Sequence, residues 1–171
     1  VFKREWLMHY EGSPADISDS TNRYLLVDAA NEKRATNDYT AMWVIGLGTD
    51  RNYYVLDMVR DRLNLTERGD LVMKLHRKWK PSQVRYERYG MMGDIQHIKH
   101  LQAQQNYRFD IVEVAGKTPK NDRIKRLVPI LEAKRVWFPY SLHKTDCNGQ
   151  MHELVGEFVE QELLAFPVST H

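Results

Sequence analysis

Three apolar runs of strand length follow one another before any helical periodicity begins, and that order leaves few folds open. Tyr24-Leu25-Leu26-Val27 is continuous, ends in Asp28 and is bounded by turn formers, the pattern of a buried central strand. Thr40 to Leu47 and Tyr53 to Val59 are two further strand-like runs, and Gly48 to Asn52 joins them as a β-hairpin with a slightly long turn. Only then does a helical spacing appear, on Leu71, Val72, Leu75 and Trp79, with Thr66 placed to cap it and Pro81 just beyond a basic last turn. A helix over 66–80 is therefore expected. Beyond it the pattern alternates: strand at Gln83 to Glu87, helix at 91–106, strand at Asp110 to Val114, helix at 120–132, strand at Arg135 to Phe138. Met151, Leu154, Val155, Phe158 and Val159 predict a last helix, while Pro129 inside the 120–132 segment warns of a kink or break. A mixed central sheet follows, antiparallel in its first three strands and parallel later, with flanking helices and right-handed crossovers.

With 171 residues, 42% of them hydrophobic, the chain can bury one sizeable core and is too short for two ordinary domains. A net charge of +2 identifies no partner, because nucleic-acid binders declare themselves by clustered rather than total charge. The single cysteine, Cys147, makes no internal disulfide and sits in no zinc-type spacing, which fits a reducing compartment. No charged leader precedes an apolar stretch and no apolar run reaches membrane-spanning length, so neither secretion nor a membrane partner is expected. Gly46-Leu47-Gly48 lacks the third glycine of a dinucleotide loop, and no phosphate loop ending in lysine and serine or threonine occurs. His97 and His100, or His143, Cys147 and His152, lack the count and spacing of a zinc site and read as surface residues.

Acids at the ends of central strands face a crevice rather than packed interior, which singles out Asp28 and Glu87. If their strands lie side by side, the two carboxylates repel each other and invite a divalent cation. The plainer alternative is that Asp28 begins a turn and Glu87 pairs with Arg85 or Arg88. Lys117, Lys120, Arg123, Lys125, Arg126, Lys134 and Arg135 crowd one segment against only Asp122 and Glu132. Such a stretch can track phosphates with salt-sensitive affinity, or be a solvated helix face. Lys117 is the first candidate for a phosphate near the acids and Arg123 the next, with Lys120 beside them and Lys33 and Arg34 in the loop after Asp28. Glu153, Glu157, Glu160 and Glu162 make the last helix a poor DNA surface.

Several of these segments, in this order, resemble the nuclease domain of tailed-phage terminase large subunits, a ribonuclease-H-like family. YLLVDAANEKRATNDYTAMWVIGL is similar to its first strand, acid and loop into the second strand, including Asp38-Tyr39-Thr40-Ala41. YYVLDMVRDRL resembles its third strand, VRYERYG its second acidic position, and GKTPKNDRIKRLVPILEAKRVWFP its lysine, Asp-Arg-Ile element and final strand. ELLAFP resembles the helix end that closes the domain, and FKREW the segment leaving an ATPase domain.

The resemblance implies a ribonuclease-H-like fold at 23–171 preceded by an entry segment at 1–22 from an ATPase domain of the same full-length chain. It implies a metal-dependent endonuclease that cuts double-stranded viral DNA during packaging. Two Mg²⁺ or Mn²⁺ ions would lie on Asp28 and Glu87, with Asp38 in support through metal-bound water or, alternatively, capping the next strand. The family's third acid follows its phenylalanine-proline element, whereas the sequence here ends at Val168-Ser169-Thr170-His171. Asp146 is a weak substitute, since SLHKTDCNGQ reads as a loop or hairpin. The implied partners are DNA, the portal protein and the small terminase subunit, in the host cytoplasm. Two rivals stay open: a non-catalytic module docking on DNA or portal, and another nuclease of the same fold such as a resolvase.

Overall fold

The computed structural model describes residues 1–29, 39–87, 92–115 and 119–167. Its strands are β1 (Met8–His9), β2 (Thr21–Asp28), β3 (Thr40–Gly48), β4 (Tyr53–Asp61), β5 (Gln83–Glu87), β6 (Ile111–Val114), β7 (Val136–Phe138), β8 (His143–Thr145) and β9 (Met151–Glu153). The helices are α1 (Pro14–Ser18), α2 (Leu65–Trp79), α3 (Met92–Gln105), α4 (Lys120–Lys125), α5 (Val128–Glu132) and α6 (Leu154–Glu157), which continues as a π-helical turn at Phe158–Leu163. Seven strands form one sheet in the order β1-β7-β4-β3-β2-β5-β6. β2, β3 and β4 pair antiparallel, and β5, β6 and β7 join them in parallel, as the order of periodicities predicts.

Alternation along the strands sorts side chains between two layers. Leu25, Val27, Met42, Val44, Val84 and Tyr86 pack against Val72, Leu75 and Trp79 of α2 and Ile95, Ile98 and Leu101 of α3. Trp43, Ile45 and Met58 point the other way, onto Leu154, Val155, Phe158 and Val159. α2 and α3 approach closely: a Cβ on Gly69 would lie 2.7 Å from the His97 ring. His97, expected at the surface, is accordingly half-buried between the two helices.

Four local expectations change. The N-cap of α2 is Asn64 rather than Thr66: its side chain accepts from the Glu67 amide at 2.8 Å while the Glu67 carboxylate accepts from the Asn64 amide at 3.1 Å, a reciprocal pair that Thr66 could not complete. The helix expected at 120–132 is two short helices, because Pro129 cannot donate to a continuous ladder and instead opens the first turn of α5. Met151 belongs to a strand, since β8 and β9 close a hairpin over SLHKTDCNGQ and the last helix starts only at Leu154. Finally, the polar stretch after Gly12 folds as α1, capped by Ser13 with Pro14 in its first turn.

The first residues share the body of the sheet. β1 pairs in parallel with β7, and Phe2 packs with Leu131, Leu163 and Phe166 in a third small core.

Candidate functional site

β2 and β5 are neighbours in parallel, with Leu25 opposite Val84, Leu26 opposite Arg85 and Val27 opposite Tyr86. Asp28 and Glu87 are the next residues on these strands, and both strands end there. Since Val27 and Tyr86 face α2 and α3, alternation turns Asp28 and Glu87 to the opposite face, side by side at one end of the sheet. Asp28 is exposed and Glu87 half-buried. Across the sheet Asp28 stands opposite Ala41, and Ala41 opposite Arg60. One row on one face therefore reads Glu87, Asp28, Ala41, Arg60.

Local chemistry fixes the ends of that row. Behind Glu87, the Tyr86 hydroxyl donates to the Asp94 carboxylate of α3, which also receives Arg68 of α2 through two parallel bonds of 2.7 and 2.8 Å. Arg68 and Asp94 are both buried, and burial and the Asp94 carboxylate together push the Tyr86 phenol far above its ordinary range. In front, Arg123 of α4 reaches Glu87 at 3.0 Å. Arg88, the other arginine considered for that carboxylate beside Arg85, lies outside the described residues. Arg123, expected to meet a phosphate of DNA, is here in contact with the acid.

At the other end Arg60 lies 3.2 Å from Glu162 and 4.0 Å from Glu157. Tyr39, immediately before β3, stands 4.0 Å from the Arg60 guanidinium and 4.1 Å from that of Arg62. The His152 ring nitrogens face Glu157 at 2.5 Å and Asp146 at 2.7 Å, and the protonated ring donates to both carboxylates. Those carboxylates, Asp146 first, raise the imidazole above its ordinary value. His152, read from sequence as a surface residue, is thus engaged by two carboxylates. Asp146 also accepts the Asn148 and Gln150 amides, so it shapes the β8–β9 turn. All four glutamates of the last helical segment are engaged, Glu153 in capping α6 and Glu160 with Arg4 at 2.5 Å.

The expected residues Lys33, Arg34, Asp38 and Lys117 lie outside the described residues. Lys120 opens α4, and its side chain is likewise outside them. Asp28 and Glu87 supply hard oxygen donors of the kind that Mg²⁺ and Mn²⁺ take, so the pair fits such an ion chemically. Among the described residues no group of three or more His, Cys, Asp or Glu is placed to complete a metal centre. Arg60, Arg62 and Tyr39 escaped the sequence reading because each is unremarkable alone, although the alternation of arginines in VRDR already placed both on one strand face.

A family model described as the terminase RNaseH-like domain matches residues 25–162. The fold is similar to the human cytomegalovirus terminase nuclease domain in a manganese-soaked crystal, with a TM-score of 0.61 at 9% identity, covering 94% of this chain and 86% of that one. The same viral domain with an inhibitor bound gives a TM-score of 0.55 at 9% identity over 82% of this chain and 77% of that one. The large terminase nuclease of thermophilic phage G20c with bound zinc gives 0.52 at 18% identity, covering 78% and 75% of the two chains. No curated protein sequence matches significantly.

Proposed function

The chain belongs to the terminase ribonuclease-H-like domain family, and on that premise we propose that it is a metal-dependent endonuclease cutting double-stranded viral DNA during genome packaging. The observation that carries this reading is the parallel ending of β2 and β5, which sets Asp28 and Glu87 beside each other on one face. Those two carboxylates would hold Mg²⁺ or Mn²⁺, with Asp38 in support. Divalent cations bound there would lower the pKa of a water for attack on phosphorus and stabilise the leaving oxygen.

The chain's own residues do the rest. The Arg68–Asp94–Tyr86 network fixes the end of β5, which limits the positions Glu87 can take. Arg123 offsets Glu87 when no other cation is near. Lys117, Lys120, Lys33 and Arg34 would grip the backbone, and Arg123 could join them once exchanged from Glu87. The ATPase domain of a full-length chain, the portal protein and the small subunit would be partners in a packaging motor in the host cytoplasm. No helix among the described residues is long and apolar enough to cross a membrane.

A non-catalytic module that grips DNA or portal is the second reading, and among the described residues no group of three or more His, Cys, Asp or Glu could hold a metal ion. Plasmid cleavage in Mg²⁺ or Mn²⁺ separates the two, using the chain together with whatever residues follow His171. Asp28→Asn and Glu87→Gln should each slow cutting by about a hundredfold or more. Equal cutting by both variants would remove the site, and no cutting by the parent would favour the docking module.

A further inference from the structure

Beside the acid pair lies a cationic group to which the reading above gives no task. Arg60 shares the Asp28 face, two strands away across Ala41, or roughly 9–10 Å at ordinary strand spacing. Alanine at the intervening position leaves that stretch of the face low. Arg62 follows the last residue of β4, so alternation returns it to the side of Arg60. Both guanidinium groups then meet one ring: Tyr39 at 4.0 and 4.1 Å.

We propose that Arg60 and Arg62, arranged about Tyr39, form a clamp for a DNA backbone phosphate adjacent to the one cut at Asp28 and Glu87. The proposal rests on the nuclease reading. Glu157 and Glu162 answer part of the Arg60 charge, and the second guanidinium at the same ring, that of Arg62, adds the attraction that an anion beside the pair would meet. The ring face holds each planar cation in place, which reduces the freedom lost on binding. Glu157 and Glu162 engage Arg60 through Nη1 and Nε, fixing the direction of its fork without consuming all five donors. Arg62 Nε is buried with no hydrogen-bond partner. Buried as it is, that nitrogen is out of an incoming phosphate's reach, so the Arg62 contact would be made by its two terminal nitrogens. Base edges are not needed for any of these contacts, so the grip is independent of sequence.

Binding of a labelled DNA duplex to the chain in EDTA, followed by fluorescence anisotropy across a salt series, tests the clamp without cleavage. Arg62→Ala should weaken binding several-fold at about 0.1 M salt and lower the log–log salt slope by about 0.9. Arg60→Ala combined with it should lower the slope by about twice that. Arg62→Lys, which keeps the charge and the strand, should retain the slope while losing part of the affinity. A purely structural role would instead lower the melting temperature and leave the slope of the folded Arg62→Lys and Arg62→Ala proteins, and their affinity, at the parental value; that result overturns the clamp alone. A parent that binds no duplex overturns both the clamp and the function beneath it.

Discussion

Arg123 sits 3.0 Å from Glu87, and that contact gives its charge a further task beside the phosphate tracking expected of it. A cation already on a candidate metal ligand competes with any divalent ion for the same carboxylate. Arg123→Gln is therefore expected to tighten Mn²⁺ binding a few-fold in calorimetry; unchanged or weaker binding would show that Arg123 positions Glu87 rather than competing for it. His152 supports a prediction with a definite sign. Asp146 and Glu157 raise its pKa in the folded chain, so its contribution is full below the ordinary histidine value of about 6.5 and lost as pH rises through the folded value. Asp146 is shifted the opposite way, first by His152, so its part disappears as pH falls through its lowered value. The stability gap between parent and His152→Gln should thus narrow as pH rises from about 6.5 through the raised folded value. A gap constant over that range in urea unfolding would mean that the imidazole acts without its charge.

At the scale of elements, the sheet is joined to its helical layer by a buried ion pair as well as by apolar packing. Arg68 of α2 and Asp94 of α3 exchange two short bonds and Tyr86 of β5 adds a third, so three elements meet at one carboxylate. Removing one member strands the others, which costs more than the pair itself contributes. Asp94→Asn should destabilise the chain by about 3–5 kcal/mol, seen as a lower urea midpoint. A loss under about 1 kcal/mol would imply that water reaches Arg68 easily. The split of the 120–132 segment into α4 and α5 belongs to this scale too, because it leaves Arg123 on α4, across from Glu87.

Over the whole molecule, the described ends of the chain meet. Phe2 and Phe166 rings lie 5.8 Å apart, over Leu131 and Leu163, while β1 extends the sheet beyond β7. Residues 1–22, read from sequence as an entry segment, contribute a strand and core side chains in addition to any connecting role. Phe2→Ala should cost about 3 kcal/mol in equilibrium unfolding, with no change in metal binding at the acid end. A neutral outcome would mean that the first residues lie on the body without stabilising it.

The sequence by itself determined what depends on neighbours along the chain. Alternating and helical periods identified the strands β2 to β7 and the helices α2 and α3, and Pro129 announced the break. The order of motifs identified the family, and strand-end position singled out Asp28 and Glu87. Tertiary structure alone decided what depends on distant segments coming together. Whether Asp28 and Glu87 adjoin is a matter of strand pairing between segments some sixty residues apart, and no local signal encodes a register. Arg123 on Glu87, His152 between two carboxylates, and two arginines on Tyr39 are likewise products of packing. The physical reason is one of range. Periodicity and capping are set within a few residues, whereas a charge acquires its role from whichever opposite charge, ring or phosphate the fold brings within about 4 Å of it.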